Sequence, residues 1–386
     1  MTNNFFSRRR FLQAGGIGLL GGIAARARGW SKQDRVLYVG TYTTSGKSEG
    51  IYVYRMDPET AALTRVTSIK SINPSFLTID RSKRYLYAVN EVAEYLGKPS
   101  GGVSAYAING RTGGLRLINE QASVGADPCY LTVDRNKRTL LVANYTGGSV
   151  AVLPIRSDGT LVPSNDLEQH EGSSIKEQQK RPHAHCIILD RNERYALATD
   201  LGIDKLLVYR FDRASGKLEP AKQPWVELKP GAGPRHLAFH PNGKYLYVIN
   251  ELDSTLTSFK YNEANGTLSE IETVSTLPSD FTEVSYCADV HVHPSGKFLY
   301  GSNRGHNSIA VFAIDQRTGK LNQLQHASTE GKWPRNFVID PAGQFLLVAN
   351  QHTDNVVTFR IDQQTGRLTP TGQVTEIPIP VCLKFL

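Results

Sequence analysis

Pro74-Ser-Phe-Leu-Thr-Ile-Asp80, a polar Arg81-Ser-Lys83 and then Arg84-Tyr-Leu-Tyr-Ala-Val-Asn90 form the stretch that decides the architecture, because the chain repeats it. The same frame returns as Pro128 to Asn144, Ala184 to Asp200, Pro234 to Asn250, Cys287 to Asn303 and Pro334 to Asn350. Each copy is an alternating run, a polar turn such as Pro241-Asn-Gly-Lys244 and a second alternating run, the period-two signature of half-buried strands. A third run follows, as in Ser308-Ile-Ala-Val-Phe-Ala-Ile314. A turn then leads into a fourth, at Gly113, Gly216, Gly266, Gly319 and Gly366, where a positive φ is needed.

Four strands at a period of roughly 50 residues predict propeller blades. Six copies are complete, and the two ends of the chain supply a seventh. Pro380-Val-Cys-Leu-Lys-Phe385 matches the first strand, while Val36 to Thr41 and Gly50 to Tyr54 match the second and third. The expected fold is therefore all-β: a seven-bladed β-propeller of four-stranded antiparallel blades, closed by N- and C-terminal strands that share one blade. Closure removes open sheet edges. Residues 36–386 are expected to be one propeller domain without a linker. Longer insertions at Val92 to Gly102, Leu167 to Arg181 and Pro278 to Tyr286 are expected as loops over one face.

The N-terminus reads as an address. Ser7-Arg8-Arg9-Arg10-Phe11-Leu12-Gln13 precedes an Ala/Gly/Ile/Leu run from Ala14 to Ala25, too short and Gly-rich to span a bilayer. Residues 1–27 are expected to be a twin-arginine signal peptide read by the twin-arginine translocase, with a small-x-small cleavage site at Ala25-Arg26-Ala27. Residues 28–35 would be a short leader, and the product periplasmic or secreted.

The formal charge is +8, but residues 1–27 hold four arginines and no carboxylate, leaving 40 basic against 36 acidic residues. That near-balance, with Lys and Arg dispersed, excludes an electrostatic footprint for nucleic acid. Cys129, Cys186, Cys287 and Cys382 lack the spacing of a zinc or redox motif and read as small core residues. His183-x-His185 and His291-x-His293 would each place two imidazoles on one strand face, but neither pair has the ligand spacing of a known metal motif, and no metal is assigned. No Walker loop, dinucleotide fingerprint or nucleophile elbow is present, and no cofactor is expected. The absence of Gly-His and Trp-Asp repeats argues against a WD40 scaffold.

A repeat separates scaffold from function. The leading Pro, the aliphatics and the strand-ending Asn90, Asn144, Asn250, Asn303 and Asn350 recur and read as packing or capping. The position after the Pro varies: Ser75, Cys129, His185, Arg235, Ala288, Arg335 and Val381. So does the position after the Asn: Glu91, Tyr145, Leu201, Glu251, Arg304 and Gln351. The first strand starts where its antiparallel neighbour ends, so both series belong to one end of the propeller. With the first strand innermost, they encircle one mouth of the channel, where His185, Arg235, Glu251, Arg304 and Arg335 converge on a pocket suited to a small anion. His236, next after Arg235, is expected to point into the blade and support the binding group of Arg335, Glu91 and Gln351.

Gly233-Pro-Arg-His-Leu-Ala-Phe-His-Pro-Asn-Gly243, Leu246-Tyr-Val-Ile-Asn-Glu251, Leu299-Tyr-Gly-Ser-Asn-Arg-Gly-His306 and Trp333-Pro-Arg-Asn-Phe-Val-Ile-Asp-Pro341 resemble the motifs of the 6-phosphogluconolactonase-type lactonase propellers, distant relatives of the carboxy-muconate lactonising enzymes. The resemblance runs over essentially the whole chain after the signal. It implies a lactone hydrolase acting on a small, anionic lactone, with His185, Arg235, Glu251 and Arg304 at the positions proposed as the family's active site. In that reading His185 takes a proton from water and Arg235 stabilises the oxyanion. Arg304 with Arg335 clamps an anionic substituent, and Glu251 orients an arginine or serves as a second base. A cycloisomerase using the same pocket and a non-catalytic exported propeller are the alternatives. The export signal sets the chain apart, because a 6-phosphosugar lactone is a cytoplasmic metabolite.

Overall fold

The computed structural model describes residues 35–386. The signal expected at residues 1–27 and the leader expected at 28–35 lie outside the described residues, except Arg35, which already belongs to a strand, Arg35–Thr41. Alternating apolar and polar side chains along short runs, punctuated by polar turns, give seven four-stranded antiparallel sheets in a ring. Blade 1 joins Pro380–Phe385 to Arg35–Thr41, Gly50–Met56 and Leu63–Lys70, so the C-terminal strand closes the ring against the N-terminal ones. Blades 2 to 7 follow in chain order, with innermost strands Leu77–Ile79, Pro128–Val133, Ala184–Leu189, Pro234–Phe239, Tyr286–Val292 and Pro334–Ile339. These innermost strands pack against one another around the ring and line its channel.

The core lies between blades. Second strands such as Tyr245–Asn250 and Phe345–Asn350 are buried throughout, whereas outermost strands such as Leu368–Glu376 alternate with solvent. Each large side chain so buried contributes about 1.5–3 kcal/mol. Tyrosines lock neighbouring blades: the hydroxyls of Tyr247, Tyr300 and Tyr38 donate to the carbonyls of Gly319, Gly366 and Gly113 at 3.1, 2.9 and 2.8 Å. Gly319 has φ +76°, and a Cβ there would stand 2.5 Å from the Tyr245 ring, so the turn needs glycine twice over.

The strand-ending asparagines act as caps. Asn144, Asn303 and Asn350 donate from Nδ2 to the carbonyls of Ser123, Thr276 and Thr329 at 3.1, 2.9 and 3.0 Å. All four cysteines are buried and free. His293 serves its turn, with Nε2 at 2.9 Å from the Gly343 carbonyl, while His291 turns to Asp289 instead, so the two imidazoles of that pair are not brought together.

The insertions need one correction. Leu167 belongs to the outer strand of blade 3, Asp166–Gln169, because its backbone completes the ladder to Ala151; the excursion begins at His170. It holds a short 3-10 turn at Glu177–Gln179, and Lys176 Nζ ties it to the Leu252 carbonyl at 2.6 Å. All three insertions follow strands that end at the Asn side of their blades, so they share the mouth's face.

Candidate active site

A β-bulge builds the mouth. In blade 5 Pro234 pairs with Asn250 and His236 with Ile249, leaving Arg235 as the extra residue. The same slip falls at Cys129, His185, Arg335 and Val381. A bulge re-aims the side chain it carries and disturbs strict alternation. Two successive residues of the innermost strands can then face the channel, which corrects the expectation for His236: it lines the same small cavity as Arg235, Arg335, Cys129, Ser75 and Glu91.

The centre of the site is a carboxylate between two guanidinium groups. Glu251 Oε2 lies 2.9 Å from Arg235 Nε and 2.8 Å from Arg304 Nη2. The Arg235 side chain is only 2% exposed, and its Nη1 donates to the Ala288 carbonyl at 2.6 Å and to His236 Nε2 at 3.0 Å. Arg304 Nη2 also reaches the Cys287 carbonyl at 2.8 Å, and its guanidinium sits 5.4 Å from the Trp333 ring centre. Among the described residues the buried Nε–H groups of Arg235 and Arg304 have no hydrogen-bonded acceptor, the Glu251 oxygen being close to the former but poorly aligned with it. Burial raises the Glu251 pKa, but Arg304, Arg235 and Arg335 outweigh it and hold the carboxylate ionised. Burial, with Arg304 and Arg335 nearby, brings Arg235 down to about 10, still cationic at neutral pH.

Arg335, on the innermost strand of blade 7, lines the same cavity as Arg235. Among the described residues it makes neither an ion pair nor a hydrogen bond, and its guanidinium lies 5.3 Å from the ring centre of Tyr42. Tyr42 donates to Glu91 at 2.9 Å, and Ser75 Oγ donates to the same carboxylate. Burial works against the Arg335 charge, but Tyr42, Glu91 and Glu251 more than restore it and raise its pKa.

His185 sits at the shoulder of the cavity, its Nδ1 3.7 Å from Cys129 Sγ and its ring 5.2 Å from that of His236. Burial, then Arg235, His236 and Arg335, hold its pKa well below 6.5, so the imidazole is neutral. His183 does not join it, stacking instead on Tyr145 at 4.4 Å. Gln351 donates its backbone N–H to the Trp333 carbonyl, and its side chain makes no hydrogen bond to the cluster.

The two buried histidines set a pH dependence. Burial and Arg235 also bring His236 down to about 4. Below about pH 6.5 the unfolded chain protonates both imidazoles while the folded one does not, so the unfolded state binds more protons and stability falls as pH falls. Urea denaturation at pH 7 and pH 5 is expected to show a lower midpoint at pH 5, with part of that difference lost in His185→Gln.

Below the mouth the channel has a floor. Phe76 stacks on Tyr130 with ring centres 4.0 Å apart, and Tyr130 meets the edge of His236 at 5.1 Å. Asp289 and Asn336 complete this layer. Sequence reasoning missed it, although a signal existed: the second position after the Pro also varies, as Phe76, Tyr130, Cys186, His236, Asp289, Asn336 and Cys382.

Fold and mouth together define a seven-bladed propeller with three guanidinium groups, those of Arg235, Arg304 and Arg335, gathered about Glu251 at one end of its channel. The family model described as "Lactonase, 7-bladed beta-propeller" matches residues 36–385, and the chain belongs to that family. It is a lactone-hydrolysing enzyme. The 6-phosphogluconolactonase of Bacillus subtilis is 41% identical over 350 residues, which cover 90% of this chain and 97% of that relative. A 6-phosphogluconolactonase of Formosa agariphila is 36% identical over 78% of this chain and 86% of its own length. Among solved structures, the periplasmic gluconolactonase of Pseudomonas aeruginosa superposes with a TM-score of 0.87 at 36% identity, covering 92% of this chain and 99% of that one.

Proposed function

We propose that the chain opens a sugar lactone at the channel mouth and that Arg335 selects substrates carrying a negative group. The observation that carries this reading is the Arg335 guanidinium, without an ion pair or hydrogen bond among the described residues, lining the same cavity as Arg235. Such an array of donors is organised for an oxyanion on one side and a carboxylate or phosphate on the other.

In the reaction, water attacks the lactone carbonyl while neutral His185 accepts its proton on the unprotonated ring nitrogen. Arg235 receives the negative charge that develops on the carbonyl oxygen. Collapse of the tetrahedral intermediate breaks the ring C–O bond, and the proton held by His185 passes to the leaving alkoxide, giving a hydroxy acid. Glu251, pinned between two arginines, orients them; its ionisation suits that role better than proton abstraction. Arg304 and Arg335 then hold the anionic substituent, with Glu91, His236 and Gln351 as further binding groups.

The same reading places the enzyme outside the cytoplasm. The Arg8-Arg9-Arg10-Phe11-Leu12 run and the apolar segment after it support residues 1–27 as a twin-arginine signal, residues 28–35 as a leader and residues 36–386 as the exported propeller. A periplasmic relative supports that location. No helix among the described residues is long and apolar enough to cross a membrane.

Arg335→Ala tests the selectivity. It is expected to raise KM for 6-phosphogluconolactone roughly 10-fold, the loss of a charge-assisted contact, and to leave KM for uncharged gluconolactone within about twofold. Equal losses on both substrates would contradict an anion clamp at Arg335.

A further inference from the structure

Asp289, in the innermost strand of blade 6, accepts from side chains of its own strand and of the innermost strands of blades 5 and 7. His236 Nδ1 approaches its Oδ1 at 2.8 Å, while His291 Nε2 at 3.0 Å and the Asn336 amide approach its Oδ2. It is buried, and these donors keep it an anion.

The neighbours of His236 leave it one tautomer. A guanidinium has no acceptor, so Arg235 Nη1 must donate to Nε2 at 3.0 Å. An ionised carboxylate has no donor, so the proton must sit on Nδ1, facing Asp289 at 2.8 Å. The other acceptor of Arg235 Nη1 is the carbonyl of Ala288, the residue before Asp289. One short segment of blade 6 therefore fixes one end of the guanidinium twice, directly and through His236, while Nη2 makes no hydrogen bond among the described residues.

We propose that Asp289 is a positioning residue for lactone hydrolysis: acting through the Nδ1–H tautomer of His236, it aims the free edge of Arg235 at the lactone oxygen. The proposal rests on the reading of Arg235 as the oxyanion donor. It makes Asp289 act at two removes from substrate, as a carboxylate does when it orients a catalytic imidazole. In Asp289→Asn one amide orientation sets an NH2 against Asn336 and His291. The other sets it against His236 Nδ1 and drives the proton to Nε2, where it repels Arg235.

The experiment combines kinetics with nitrogen NMR of the histidines in the folded full-length propeller. Asp289→Asn is expected to lower kcat roughly 100-fold, the cost of a misplaced catalytic group, with KM within about twofold. His291→Ala removes a different bond to the same carboxylate and is expected to keep kcat within about threefold. In the wild type His236 is expected as the Nδ1–H tautomer. Retention of kcat in Asp289→Asn, an equal loss in His291→Ala, or an Nε2–H tautomer in the wild type each overturns the proposal. If Asp289→Asn does not fold, the wild-type tautomer and a kcat loss in His236→Phe decide it. Full activity in Arg235→Ala would instead overturn the oxyanion reading, leaving the tautomer as a separate result.

Discussion

Arg235→Ala is expected to lower kcat on a lactone by about 100- to 1,000-fold, the cost of removing one preorganised oxyanion donor. The size follows from the setting. The guanidinium is 2% exposed, held on one edge by Ala288 and His236 and beside Glu251 on another, so water cannot replace it without rearrangement. Arg235→Lys is expected to recover little, because an ammonium keeps the charge but cannot hold the Ala288 carbonyl and His236 Nε2 at one end of a plane while offering further donors in that plane. Steady-state kinetics on the wild type and both variants check this, and a kcat within threefold of wild type in Arg235→Ala would remove Arg235 from the reaction.

Glu251→Gln should cost more in stability than any other single change at the mouth. Glu251 is the anion placed between Arg235 and Arg304, and Arg335 also feels its field. Replacing it by an amide leaves three guanidinium groups without that compensation. Breaking a buried pair costs about 3–5 kcal/mol, and the 16% exposure of the Glu251 side chain favours about 3 kcal/mol, the lower end. Urea denaturation should show the loss as a lower midpoint at unchanged slope. Restored stability in the double variant Glu251→Gln, Arg304→Met would attribute the cost to uncompensated charge, whereas an unchanged midpoint in Glu251→Gln would contradict it.

Much of this was legible in the chain, for a physical reason. Propeller blades repeat, so positions kept from blade to blade, such as Asn144 and Asn303 with their carbonyl acceptors, declare themselves as scaffold. Positions that vary, such as Arg235 against Ala288, stand out as candidates for chemistry. The ring closure was legible because Pro380 to Phe385 carries the same frame as the inner strands it joins.

The bulge was not legible. Strict alternation put His236 on the opposite face from Arg235, and only the slipped pairing of Pro234 and His236 with Asn250 and Ile249 brings both to the cavity. The floor of the channel was lost with it. Asp289 and Asn336 look like unremarkable strand residues until the ring sets them beside His236. One partner of Glu91 was hidden for another reason: Ser75 belongs to the same blade and the same mouth series, but Tyr42 comes from blade 1 and no local pattern joins it to Glu91.

The most direct test of lactone chemistry at this mouth is the rate of ring opening above the spontaneous rate, for 6-phosphogluconolactone, gluconolactone and carboxy-muconolactone, by wild-type protein beside Arg235→Ala. Turnover of at least one of these by the wild type, lost in the folded variant, is the predicted result. Wild-type rates no faster than buffer across the panel, or equal rates from both proteins, would contradict it.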